Sequence, residues 1–203
     1  MVVSVHIPKT GGTSFSSILS AVYQQNLWVN YDQQWSRADI RKGDIPYHVE
    51  CVHGHFEYDA FDTVFSDISK ITWTRDPIER TLSLYQYILK NPDINNKTTF
   101  YVYEKQLLLE EFIELPWVQN QSMNYLKDSQ PYDFHFVGFL DTFQKSLEKC
   151  AEVLNWAFTP EMAWVNKNNN PTTILSQSLK KKIYKLNERE YDWISSAKSI
   201  FSQ

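Results

Sequence analysis

The sequence predicts an α/β fold: one domain over residues 1–203, with a central parallel sheet flanked by helices. Three observations carry this expectation. Short runs rich in β-branched and aromatic residues alternate with stretches of helical period, the order that parallel strands joined by crossover helices produce. The first run, residues 2–7, is apolar almost without a break, as a strand covered on both faces must be. The chain, at 203 residues, is long enough for one full core and too short for two comfortable ones.

The opening strand leads into Pro8-Lys9-Thr10-Gly11-Gly12-Thr13-Ser14-Phe15. Pro8 ends the strand, and the two glycines let the main chain approach a ligand with no side chain in the way. Thr13 or Ser14 is positioned to cap the helix that opens there. A row of backbone N–H groups at a helix N-terminus, beside a lysine and three hydroxyls, suits a tetrahedral anion, phosphate or sulfate. The unit is therefore P-loop-like. It is not the nucleotidase pattern G-x-x-x-x-G-K-[ST], because Lys9 precedes the glycine pair.

Beyond the loop, Phe15, Ile18, Leu19, Val22 and Tyr23 recur at helical spacing. Residues 24–46 are polar and are expected to form a loop-rich connection. Residues 47–56 read as a short strand that delivers His53-Gly54-His55 to its C-terminal end, where open parallel sheets bind ligands. Residues two apart share a face of a strand, so both imidazoles are expected in one crevice, and neutral imidazole is suited to take a proton near neutral pH.

A short helix is expected over residues 58–65 and a strand over 70–74. Then comes a strong helix start: Asp76 as N-cap, Pro77 in the first turn and Glu79 completing a capping box. Arg75 stands at the junction, where a guanidinium grips phosphate oxygens in pairs, and Ser83 follows two turns on. Arg80 reads either as a ligand group or as one half of an ion pair. Residues 91–99 are expected to form an exposed loop, and residues 107–113 and 117–126 helices, the second bearing the polar cluster Asn120-Gln121-Ser122. Residues 134–140 read as a strand, with Asp141-Thr142 capping a helix over 143–154. Residues 164–171 are too polar and broken for regular structure. Lys180, Lys181, Lys182 and Lys185 mark the solvated face of a helical segment, and a last helix is expected over 191–201.

A net charge of −4 argues against a nucleic-acid partner. The 7 Trp, 12 Tyr and 12 Phe supply core and, in part, cleft lining. Cys51 and Cys150 lack metal or redox spacing, so reduced thiols and a cytoplasmic location are expected. No basic leader precedes the first strand and no run approaches the ~18 apolar residues of a membrane span.

The string His6-Ile7-Pro8-Lys9-Thr10-Gly11-Gly12-Thr13-Ser14 resembles the first signature of the carbohydrate sulfotransferases, the group that includes the heparan sulfate 2-O- and 6-O-sulfotransferases. Residues 75–87 resemble the family's second signature, R-D-P-x-x-R-x-x-S-x-Y, with every fixed letter present, and His53-Gly54-His55 is similar to the stretch that carries the base of the 2-O-sulfotransferases. The resemblance implies a minimal, bacterial-type form, or a catalytic domain trimmed of its anchor, that uses 3′-phosphoadenosine 5′-phosphosulfate (PAPS) as sulfuryl donor and no metal. By that match Lys9, Thr10, Gly11, Gly12, Thr13 and Ser14 hold the 5′-phosphosulfate, with Lys9 also stabilising the leaving phosphate. Arg75 and Ser83 hold the 3′-phosphate, His55 is the general base and His53 its support. Asn166 and Lys167 fall, by position, in a loop that covers the cofactor. The implied acceptor is a hydroxyl-bearing small molecule or an oligosaccharide. Two other readings remain open: a nucleotide-dependent phosphotransferase on a P-loop, and a non-catalytic nucleotide-binding module.

Overall fold

Four of the runs expected as strands pair in a five-stranded parallel sheet, joined by a fifth strand from the stretch expected as loop. The computed structural model of the chain describes residues 1–41, 43–158 and 175–202. In chain order the elements are β1 (Val2–Val5), α1 (Gly12–Tyr23), β2 (Leu27–Trp35), β3 (Cys51–Phe56), β4 (Ser69–Thr74), α2 (Pro77–Lys90), α3 (Lys97–Glu104), α4 (Leu109–Phe112), α5 (Met123–Leu126), β5 (Phe136–Phe139), α6 (Phe143–Val153), α7 (Gln177–Leu186) and α8 (Glu188–Phe201).

The sheet order is β2-β3-β1-β4-β5. β1 is central, with Val5 opposite Gly54 on one side and Thr72 on the other. Alternation along the strands divides the core in two. Val3, Val5, Val52, Phe56, Val137 and Phe139 pack with Trp193, Ile194 and Ala197 of α8. Cys51, Ile71, Trp73 and Phe136 pack with Phe15, Ile18 and Leu19 of α1 and with Phe143, Leu147 and Cys150 of α6. A third cluster joins α2, α3, α4 and α7 through Leu84, Ile88, Val102, Phe112, Leu179 and Ile183. Among the described residues no helix is long and apolar enough to cross a membrane.

Several local expectations are corrected. Residues 27–35 form β2 at the sheet edge, where one side of the strand needs no partner strand and polar residues are tolerated, which hid its character. Residues 58–64 are successive turns instead of a helix, with Ala60 bonded to Glu57 and Val64 to Phe61. α3 begins at Lys97, inside the expected loop, because the Asn96 side chain accepts from the Thr99 amide at 3.2 Å. The helix expected over 117–126 shrinks to α5, since Asn120 takes a left-handed conformation, φ 48°.

Asn120, Gln121 and Ser122 instead surround a buried ion pair that ties α2 to α8. Arg80 Nε and Nη2 donate to the two carboxylate oxygens of Glu190 at 2.7 and 3.1 Å, and Nη1 donates to Gln121 Oε1 at 2.6 Å. Ser122 Oγ donates to Glu190 Oε1 at 2.6 Å, while the Glu190 amide donates to Asn120 Oδ1. Arg80 thus takes the ion-pair role. Both charged side chains are almost fully enclosed, at 0% and 1% exposure. Removing one partner strands the other charge away from water, a loss of about 3–5 kcal/mol. Glu190→Ala is therefore expected to lower the urea midpoint strongly, whereas the double variant Arg80→Leu/Glu190→Leu recovers part of the loss. Equilibrium unfolding of the single and double variants checks this.

Candidate active site

The site grows from the end of β1. The His6 amide donates to the Gly54 carbonyl at 2.8 Å, carrying the ladder one residue past the strand. Thr10 Oγ1 then donates to the Ile7 carbonyl at 2.8 Å and closes the turn. Lys9 (φ 69°) and Gly11 (φ 91°) both lie in the left-handed region, which is uncommon for a residue with a side chain. A side-chain carbon on Gly12 would stand 2.0 Å from His6 Cε1, so only glycine lets the His6 ring lie against the loop.

α1 opens at Gly12 with Gly11 as its cap, no side-chain cap and no acidic residue in its first turn. This corrects the expectation that Thr13 or Ser14 caps the helix: both line the cavity described below. The first-turn amides and the positive end of the helix dipole are left for an anion.

The second junction is built by Asp76, whose Oδ1 accepts from the Glu79 amide at 3.0 Å with Pro77 in the first turn. The Glu79 carboxylate does not complete a capping box. It accepts from Arg75 Nε at 3.3 Å, while Arg75 Nη1 donates to the Lys9 carbonyl at 3.4 Å. The guanidinium is thereby fastened against the loop. Lys9 Nζ sits over the Tyr87 ring, 4.0 Å from its centroid. Burial, with the neighbouring Arg75 charge adding to it, holds the Lys9 ammonium below its usual pKa. Two cations this close favour a ligand with several negative charges.

On the β3 side, His55 stacks on His6 with centroids 5.1 Å apart, and the Tyr31 ring stands edge-on to both. Burial pushes His55 down to about 4, so its imidazole is neutral and able to accept a proton at neutral pH. His6 is lowered well below the usual histidine value by burial and by His53, His55 and Lys9. The expectation of two imidazoles side by side in the crevice is corrected for His53. It shares the face, but lies 1% exposed beneath the other rings, with Nδ1 against Ser4 Oγ at 2.8 Å and burial pushing it down to about 3.

A cavity of about 660 Å³ unites these parts. Lys9, Gly11, Gly12, Thr13, Ser14, Arg75, Ser83 and His55 line it. Thr10 does not, since its buried hydroxyl is spent on the turn. Lys167 and Asn166 lie outside the described residues. The lining also contains His6, Tyr31, Tyr87, Lys90 and Asn91, which the sequence reading did not assign. His6 carries a signal, a titratable residue at a strand end beside the glycine loop; Tyr31 carries none, because nothing local marks residues 27–35 as a strand.

The three imidazoles have a consequence for stability. Each binds a proton more readily in the unfolded chain than in the folded one, so the unfolded state gains protons as pH falls. Stability is expected to be complete above about 6.5 and to fall as the pH drops toward about 4, by up to about 1.4 kcal/mol per pH unit for each histidine. Urea midpoints across that range test the slope, and an NMR titration of His55 is expected to show a midpoint well under 6.5.

Comparisons with known proteins bear on this site. The structure is similar to that of the mouse sulfotransferase SULT7A1 complexed with PAP, at 15% identity and a TM-score of 0.46, over 91% of this chain and 62% of that one. The chain thus spans less than two thirds of that relative's length. It is also similar to a sulfotransferase from Alicyclobacillus acidocaldarius, at 11% identity and a TM-score of 0.47, over 100% of this chain and 95% of that one. No curated protein sequence matches the chain at a significant level. The family model described as "Sulfotransferase family" matches residues 1–193, nearly the whole chain, and on that match the chain belongs to the sulfotransferase family.

Proposed function

We propose that residues 1–203 act as one sulfotransferase domain that moves a sulfuryl group from PAPS to a hydroxyl of a small molecule or oligosaccharide. One observation carries this reading: a single cavity joins Lys9, residues 11–14, Arg75 and Ser83 to the imidazole of His55. Its volume lies in the range of small-molecule and cofactor sites, roughly 300–1,000 Å³. The donor set fits an anion of several charges, with two adjacent cations and an open helix N-terminus.

When bound, PAPS supplies a sulfuryl group activated by its link to phosphate. Lys9 and the Gly12–Ser14 first turn hold the phosphosulfate end, and Arg75 and Ser83 hold the 3′-phosphate. His55 takes the proton of the acceptor hydroxyl as its oxygen bonds to sulfur. The bond from sulfur to the bridging oxygen breaks, and its electron pair stays with the phosphate, facing Lys9. The protein's part is positioning and charge stabilisation, as in phosphoryl transfer. Tyr87 gives the Lys9 ammonium a ring face to rest on, 4.0 Å from its centroid, and the neutral state of His55 keeps it ready to accept.

Calorimetry with 3′-phosphoadenosine 5′-phosphate (PAP) and a labelled-sulfate transfer assay test this together. His55→Ala is expected to lower kcat by about 10²–10⁴-fold with PAP affinity preserved. Lys9→Ala is expected to lose a comparable factor. Arg75→Ala is expected to weaken PAP binding about 10–100-fold, the worth of a charge-assisted contact. Near-normal rates in folded His55→Ala and Lys9→Ala variants would overturn the assignment.

A further inference from the structure

The cavity is divided by charge. Its cationic lining residues, Lys9, Arg75 and Lys90, come from the loop after β1, the residue before α2's cap and α2 itself. The wall around His55 is different. It is formed by Tyr31 and His6 and, among the described lining residues, contains no lysine, arginine or carboxylate.

Tyr31 dominates that wall. Its ring is edge-on to three imidazoles, with centroids 5.4 Å from His6, 5.6 Å from His53 and 5.3 Å from His55. Its hydroxyl donates to the Gly12 carbonyl at 3.4 Å, and the residue remains 38% exposed. The ring is tied at its tip and remains partly open where it lines the cavity. The buried ring of Tyr125 packs against His55, 5.9 Å from the imidazole. Glu57, two residues after His55, is paired with Lys127 at 3.1 Å. A polyanionic acceptor would have to leave its counterions for a wall on which none of the described lining residues beside His55 is a cation, whereas a flat ring gains apolar contact and edge or face interactions with the tyrosine.

We propose that the acceptor is an uncharged hydroxyl compound with a flat ring face, seated on Tyr31 so that its hydroxyl meets His55. A polymer already rich in sulfate or carboxylate is disfavoured. The inference rests on the sulfuryl-transfer reading above and adds the class of acceptor. A neutral sugar ring and an aromatic alcohol offer the same face, so the test includes both.

The assay uses the full chain with labelled PAPS and three acceptor groups: neutral oligosaccharides, phenols, and a uronate-bearing heparin-like polymer, at low and at physiological salt. Neutral sugars or phenols are expected to give the higher kcat/KM, with little dependence on salt. Tyr31→Ala is expected to raise the acceptor KM about five- to tenfold with kcat less affected, matching the worth of one aromatic contact. PAP affinity by calorimetry is expected to change less than the acceptor KM, because Tyr31 offers the phosphosulfate loop one long hydroxyl contact, at the Gly12 carbonyl, and no charge. Tyr31→Leu keeps apolar bulk on the edge strand without the ring plane, and is expected to show the same KM rise should the alanine variant fold poorly.

Preference for the polyanion with steep loss in salt, an unchanged acceptor KM in both variants, or PAP binding with no transfer to any uncharged compound would each overturn the proposal. Failure of the parent protein to bind PAP at all would instead overturn the donor reading on which it stands.

Discussion

The pairing of β1 with β3 on one side and β4 on the other is the constraint on which the site depends. Parallel strands end at a common edge, and the register sets which residues emerge there: the 6–14 loop after Val5, His55 directly after Gly54, and Arg75 three residues after Thr72. A slip of one residue in β3 would turn His55 toward the α8 side of the sheet and bring Phe56 out of its core. Packing on that side, with Phe56 against Phe61 and Trp28, is therefore also what aims the imidazole.

Electrostatics follow from the same geometry. The loop and α2 bring positive charge to one wall, where the Glu79 carboxylate accepts from the Arg75 guanidinium as that group donates to the loop. The other wall is kept neutral by enclosure, since desolvation disfavours a protonated imidazole. α2 serves both purposes at once. Arg75 stands just before its cap, its middle presents Ser83 and Tyr87, and its buried Arg80 locks it to α8 through Glu190.

Much of this was legible in the residues. The β-branched run at Val2, the glycine pair after Lys9 and the Asp76-Pro77 start act over a few neighbouring positions, so their structural meaning survives in a linear reading. What failed depended on distant contacts. Residues 27–35 become a strand only because β3 offers them an edge, and nothing local in that mixed sequence says so. Thr10 carries the same hydroxyl as Thr13, yet one turns inward to Ile7 and the other lines the cavity, a choice made by the left-handed turn at Lys9 and Gly11. His53 and His55 have the right spacing to share a face, but the rings and helix that cover the first of them come from β1, β2 and α1.

The enclosure of the α1 side of the sheet has one practical outcome. Cys51 and Cys150, the chain's two cysteines, are both free and both 0% exposed within that core, and burial pushes their thiols up, away from reactive thiolate. Native folded protein should thus ignore maleimide reagents. A cysteine introduced at Asn91, exposed at the mouth of the cavity, would take a dye alone, giving a fluorescent reporter of occupancy without first stripping the molecule of its own sulfur.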